Sequence, residues 1–96
     1  MNKYEVMFIV NTGMEAAAAT KIAEDYSKLV KNDKGSVEVF KDLGQRKLAY
    51  EINKQITGFY YYFDCTAKVD TIKELDRRLR LDENIIRHMI IRIDEE

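Results

Sequence analysis

The chain has 96 residues, 46% hydrophobic and 34% charged, a balance that predicts one globular domain over residues 1–96 and excludes a disordered chain. The formal net charge of −1 argues against a polycation that coats nucleic acid by charge alone, although a local basic patch is compatible with it. The single cysteine, Cys65, excludes an internal disulfide, and with only one histidine, His88, the chain has no zinc-ligand spacing.

The first third of the chain predicts a strand followed by an amphipathic helix. Residues 4–10, YEVMFIV, are β-branched and aromatic with partial alternation, as in a strand. Thr12 and Glu15 have the spacing of a capping box at a helix N-terminus, and Gly35 is expected to end the helix in a left-handed conformation. The apolar residues of this helix recur on one face: Ala19, Ile22, Ala23, Tyr26, Leu29 and Val30.

The middle of the chain predicts a β-hairpin. Residues 36–50 alternate imperfectly, which indicates a long strand with a bulge or break near Gly44. A turn or loop over 51–57 then leads to a third strand over 58–66, which contains the aromatic run GFYYYFDC. The short connection makes the two strands antiparallel neighbours.

The last third predicts a second helix and a final strand. The helix begins near Thr71 with an apolar stripe of Ile72, Leu75 and Leu79, and residues 85–93, IIRHMIIRI, form the strand. The resulting order is β-α-β-β-α-β. Two crossovers around a hairpin predict an α+β fold of the ferredoxin-like split type, a four-stranded antiparallel sheet with two helices on one face.

The face of the sheet without helices is expected to be polar, but the strand patterns leave apolar residues there. The first and third strands each have one clear core side, and the last strand leaves apolar side chains outside in either orientation. The predicted core side of the two strands comprises Tyr4, Val6, Phe8, Phe59, Tyr61, Phe63 and Cys65.

The remaining apolar residues predict a patch that binds a partner protein. A large exposed apolar patch with amphipathic aromatics marks a binding surface more often than an accident. The alternatives are a homodimer contact or isolated exposed residues without a function. The predicted patch comprises Met7, Ile9, Tyr60, Tyr62, Met89 and Ile91.

Basic residues predict RNA binding beside this patch. Each cation alone is by default a solvated surface residue, but their convergence near one rim of the sheet would let cations hold phosphates while Tyr60 and Tyr62 stack on bases. The candidates are Lys3 at the first strand, Arg46 beside Lys47 on the hairpin, Lys54 in its loop, and Arg87 and Arg92 on the last strand.

Catalysis and membrane insertion are not predicted. The chain has no nucleophile elbow, phosphate loop, HExxH or Cys-x-x-Cys motif, and His88 in a strand is expected to be a structural or interface residue. No cofactor, metal or small-molecule substrate is therefore expected. The start, MNKYEVMFIV, lacks a basic n-region and a cleavage site, so we expect a cytoplasmic protein with no membrane partner.

Three segments carry a resemblance to a known family. MNKYEVMFIV combines basic residues, Tyr-Glu and a β-branched run. Residues 43–63, LGQRKLAYEINKQITGFYYYF, follow the pattern Leu-Gly-x-Arg-x-Leu-Ala-Tyr-x-Ile-x-Lys and then glycine with aromatics. Residues 79–92, LRLDENIIRHMIIR, lead from a Leu-Arg pair through acidic residues into a Met-containing strand. Over residues 1–93 the chain thereby resembles bacterial small-subunit ribosomal protein six, the S-six family.

The resemblance implies the same split fold and a binding function without a cofactor. It implies pairing with ribosomal protein eighteen and binding of the pair to the central domain of small-subunit ribosomal RNA. It supports Lys3, Lys54 and Arg87 on the RNA side, whereas Arg46 has the alternative of a salt bridge within the hairpin. Asn2 stands where many members have an arginine. A dimeric regulatory or small-molecule-binding domain of the same fold is the alternative function.

Overall fold

A computed structural model of the protein describes residues 1–52 and 55–93, with side chains described over 1–48 and 57–93. Six elements follow one another in the predicted order β-α-β-β-α-β, which confirms the predicted fold class. Their bounds are β1 Asn2–Asn11, α1 Ala16–Asn32, β2 Ser36–Ile52, β3 Gln55–Ala67, α2 Val69–Leu81 and β4 Ile85–Ile93.

The four strands form one antiparallel sheet in the order β2-β3-β1-β4. The β2–β3 hairpin is longer than predicted, because β2 continues to Ile52 and β3 begins at Gln55. The predicted loop over 51–57 is therefore wrong where those strands extend into it; β-branched Ile52, Ile56 and Thr57 favour the extended backbone. The predicted break near Gly44 is confirmed by a register shift between Asp42 and Gly44 and by the positive φ of Gly44, 77°.

Both ends of α1 differ from the sequence prediction. The capping box does not form: Glu15 occupies the N-cap position without a side-chain cap, and the Thr12 hydroxyl lies 3.2 Å from that of Thr57. At the other end Lys34, with φ 67°, takes the left-handed conformation predicted for Gly35. Gly35 is needed for a different reason, because a Cβ there would lie 2.8 Å from the backbone oxygen of Thr66.

The core lies between the helices and one face of the sheet. The predicted core residues of β1 and β3 are all buried, with Phe8 stacked on Tyr61 at a ring-centroid distance of 5.7 Å. The Tyr61 hydroxyl lies 3.1 Å from that of Thr20 in α1, so the ring is held by a polar contact to the helix layer. The helices contribute Ala19, Ala23, Tyr26, Val30, Ile72, Leu75 and Leu79.

The register of β4 decides which of its side chains face the helices. His88 is the Cα partner of buried Phe8, and Ile90 is the partner of buried Val6. Because antiparallel partners share a face, both residues lie on the helix side, where His88 Nε2 is 2.8 Å from Asp76 Oδ1 of α2. His88 is thus a structural contact between α2 and β4. Met89, Ile91 and Arg87 lie on the opposite side, which we call the open face.

Candidate functional site

The open face is organised in rows that run across the four strands. One row, which we call the central row, aligns Lys41 of β2, Tyr62 of β3, Met7 of β1 and Met89 of β4. Strand pairing brings these side chains together from four distant parts of the chain. The central row is apolar and amphipathic over three strands and ends in a lysine on the fourth.

The predicted partner-binding residues occupy the central row and the two rows beside it. Met89 is 51% exposed and Ile91 is 47% exposed, whereas Met7, Tyr60 and Tyr62 are half-buried. These five share the open face. The strand patterns predicted this for Met7, Tyr60 and Tyr62, whereas pairing with β1 decides it for Met89 and Ile91. Tyr62, Met7 and Met89 are neighbours in the central row, and Ile91 lies in the next row opposite Glu5, so the apolar surface is bordered there by a carboxylate.

Ile9 lies on the predicted face but is buried, with 8% of its surface exposed. Its side chain fills the space above Gly58, where an added Cβ would lie 2.2 Å from Ile9 Cγ2. Tyr60 and Arg87 are its Cα partners on either side. Ile9 therefore supports the surface from below, and it offers a partner little contact area.

Two carboxylates on the open face were not among the predicted site residues. Glu5 and Asp64 are direct Cα partners in the row next to the central row. Alternation along β1 and β3 already places both on this face, so the signal was present in the sequence. The Tyr62 hydroxyl donates a hydrogen bond to Asp64, and this bond, with burial and the charges of Asp64 and Glu5, raises the pKa of Tyr62 well above its usual value.

The predicted basic residues do not converge on one rim of the sheet. Arg87 and Arg46 share one end of the open face, since they are partners of Ile9 and Gly58. Lys3 is six residues from Ile9 along β1, about 20 Å away at the usual rise of a strand. Arg92 is the partner of buried Tyr4 and so lies on the helix side. The expectation of a single basic rim is wrong because strand register separates these positions.

Arg46 and Arg92 each make a polar contact within the chain. Arg46 Nε donates to the backbone oxygen of Leu43 at 3.2 Å, next to the bulge at Gly44, so part of its guanidinium supports the hairpin. Arg92 Nη2 donates to Asn2 Oδ1 at 3.0 Å and joins the ends of β4 and β1. Lys54 lies outside the described residues.

A hollow on the open face adjoins Arg87. It has a volume of about 220 Å³ and lies along β1 and β4, between Met7 and Ile9 on one side and Arg87 and Met89 on the other. Its walls are apolar with a guanidinium at one edge. Such a surface accepts an apolar or aromatic group with an adjacent anion.

The described residues hold no candidate metal centre. Across 1–52 and 55–93, no three side chains of His, Cys, Asp or Glu are grouped as metal ligands. Neither helix in these ranges is long and apolar enough to cross a bilayer. Cys65 is buried, and burial raises the pKa of its thiol to about 11, which disfavours the reactive thiolate.

A helix-backed sheet with an amphipathic open face defines a small binding protein, and comparison with known proteins identifies its class as ribosomal. The family model described as ribosomal protein S6 matches residues 3–92. The small ribosomal subunit protein bS6 of Alkaliphilus metalliredigens is 42% identical over 95 residues, 99% of this chain and 100% of that protein. The bS6 protein of Halalkalibacterium halodurans is 38% identical over 96 residues, 100% of both chains.

Solved structures agree with these matches. The crystal structure of 30S ribosomal protein S6 from Thermotoga maritima superposes with a TM-score of 0.89 at 28% identity, covering 96% of this chain and 87% of that one. A protein from Arabidopsis thaliana shares the fold alone, with a TM-score of 0.57 at 13% identity, over 100% of this chain and 96% of that one. The chain belongs to the ribosomal protein S6 family and is a structural protein of the small ribosomal subunit.

Proposed function

We propose that this protein pairs with ribosomal protein eighteen in the cytoplasm and that the pair binds the central domain of small-subunit ribosomal RNA. The apolar part of the open face contacts the partner protein, through Met7, Tyr60, Tyr62, Met89 and Ile91 over a support formed by Ile9. The observation that carries this proposal is the central row, because it extends apolar surface across three strands, half-buried at Met7 and Tyr62 and exposed at Met89.

The near-neutral charge of the chain explains why a partner is needed. A protein with a net charge of −1 releases few counterions from RNA and binds it weakly alone. A basic partner supplies the missing charge, and the cations of this chain then orient the RNA. Arg46 and Arg87 share one end and one face but lie on opposite edge strands, β2 and β4, so each is proposed to contact its own phosphate.

The other proposed RNA-binding residues act at separate places. Lys3 lies at the opposite end of the sheet and Arg92 on its other side, so each would contact a different stretch of RNA from Arg87. Lys54 lies outside the described residues and is kept as a candidate on the family resemblance. The proposal therefore expects several separate RNA contacts rather than one continuous basic rim.

Two substitutions on the open face test the proposal and serve as controls for each other. Met89→Asp places a charge in the apolar surface at an exposed site, so the protein should fold while its affinity for ribosomal protein eighteen falls by at least tenfold. Arg87→Ala should leave that affinity near the wild-type value. It should weaken RNA binding by the pair and make the dependence of log K on log salt shallower by about one unit.

Calorimetric titration measures the protein affinity, and filter binding over a salt series measures the RNA affinity. Wild-type affinity of Met89→Asp for ribosomal protein eighteen would show that the open face is not the docking site. An unchanged salt slope in Arg87→Ala would show that Arg87 does not contact a phosphate. Light scattering of the wild-type protein alone distinguishes the dimeric alternative, which requires a stable homodimer at micromolar concentration.

A further inference from the structure

Glu5 and Asp64 form a pair of like charges on the open face. They are direct Cα partners on β1 and β3, an arrangement that destabilises an antiparallel pair of strands. Both side chains are half-buried. The Tyr62 hydroxyl lies between them, donating a hydrogen bond to Asp64 and interacting with Glu5. Lys3 stands one row away on the same face, next to Glu38, whose pKa it helps to lower.

A small hollow beside this pair combines apolar walls with a carboxylate. It has a volume of about 30 Å³ and is lined by Glu5, Met7, Tyr62, Met89 and Ile91. A long cationic side chain that lies across this hollow packs its methylene stem on the apolar side chains around it and keeps its charged head at the polar edge. The Tyr62 ring adds a face on which a planar cation stacks.

The chemistry of the site distinguishes among possible occupants. Phosphates of RNA are repelled by two adjacent carboxylates, so the Glu5–Asp64 pair suits a protein cation and not a phosphate. A bound metal ion would need more ligands than the described side chains group together. Among protein cations, a guanidinium donates from a planar fork of five N–H groups to two carboxylates and also stacks on an aromatic ring, which an ammonium does less well.

We propose that Glu5, Asp64 and Tyr62 hold an arginine side chain of the protein that docks on the open face. This inference rests on the proposed function, since it assumes that a basic protein covers the central row. The arginine neutralises the opposed carboxylates when the complex forms. The Glu5–Asp64 row then receives the basic protein, and the cations at the two ends of the open face, Lys3 at one and Arg46 and Arg87 at the other, are left for RNA.

Isosteric removal of the two charges tests the inference. Glu5→Gln and Asp64→Asn keep the shape of each side chain, so the fold is expected to survive, which circular dichroism and urea denaturation verify. Each variant should raise the Kd for ribosomal protein eighteen about tenfold or more, and the double variant should flatten the salt dependence of binding. Glu24→Gln removes one charge from the exposed face of α1 and is the matched control, with wild-type Kd expected.

An arginine scan of the partner completes the test. One arginine-to-alanine variant of ribosomal protein eighteen should weaken binding to the wild-type chain and have little further effect on Asp64→Asn, which is the signature of a direct contact. Wild-type affinity in both single variants, with Met89→Asp still defective, would overturn the inference and leave the proposed function standing. Wild-type affinity in Met89→Asp as well would overturn both.

Discussion

Gly58 shows how a single missing side chain organises the open face. It lies between Asn11 of β1 and Arg46 of β2 in the register, and Ile9 occupies the space where its side chain would be. Ile9 is thereby buried on the side of the sheet that the helices leave uncovered. A close approach of this kind, and not a special backbone angle, explains the glycine.

We expect Gly58→Ala to lower the free energy of unfolding by about 1–3 kcal/mol, the usual range for overpacking. The added Cβ would lie 2.2 Å from Ile9 Cγ2, so Ile9 must move. Urea denaturation measures the change as a lower midpoint at constant m-value. Gly13→Ala is the control, because its nearest atom is a side-chain oxygen of Asn11 at 3.2 Å, and an equal loss in both variants would contradict the packing explanation.

At the scale of the element, α2 is held by its apolar stripe more than by its charges. Leu75 and Leu79 are buried against the sheet, whereas the ion pairs of Glu74 with Arg77 and Arg78 lie on the exposed side. Exposed ion pairs within one helix each contribute little. The Lys68 N-cap makes no side-chain cap, so packing must supply most of the stability of the helix.

Two leucines of α2 provide a matched comparison of burial. Leu75 is fully buried at 0% exposure, and Leu81, the last residue of the helix, is 65% exposed. Leu75→Ala should cost about 2–5 kcal/mol of unfolding free energy through lost burial and a cavity. Leu81→Ala should change it by no more than about 0.5 kcal/mol. Similar denaturation midpoints for the two variants would show that the stripe does not anchor α2.

At the scale of the whole molecule, acidic groups with lowered pKa values and buried groups with raised pKa values limit the pH range over which the fold is stable. Hydrogen bonds and charges from Arg77 and Arg78 lower the pKa of Glu74 to about 2, and a hydrogen bond from Thr66 lowers that of Glu38. Lowered carboxyl pKa values stabilise the fold above the unfolded values near 4.3, and this contribution is lost as the pH falls through the folded values.

Burial has the opposite consequence in alkali. It raises the pKa of Cys65 from about 9 to about 11, and it is also the main cause of the raised pKa of Tyr26. Groups that are neutral when protonated and have raised pKa values stabilise the fold below their unfolded values. Their contribution is lost as the pH rises toward the folded values.

We therefore expect stability to fall between pH 9 and pH 11 and the fall to be shallower in Cys65→Ala, although that variant is less stable at pH 7. Urea midpoints at pH 7, 9, 10 and 11 measure the slope in each protein. Because Tyr26 and Tyr61 also have raised pKa values, part of the loss of stability in alkali should remain in Cys65→Ala. Parallel curves for the two proteins would exclude ionisation of Cys65 as a cause.

Sequence patterns predicted every element and the core sides of β1 and β3, because periods of 2 and 3.6 report which face of a strand or helix is buried. They failed where one local rule competed with another contact. Thr12 has the spacing of a helix cap, but its hydroxyl contacts that of Thr57. Gly35 is a residue type that often ends helices, but here a glycine is needed because the backbone of Thr66 lies too close for a side chain. Neither partner is visible in a local window of sequence.

The sequence by itself determined the order of elements, the apolar surplus on the open face and, through its three family segments, the S-six resemblance. Tertiary structure alone decided the facing of β4, because its two sides are nearly equally apolar and only pairing with β1 chooses between them. It also separated Lys3 and Arg92 from Arg87 and joined Glu5 to Asp64. Such groupings depend on strand register, which is set by contacts between residues far apart in the chain.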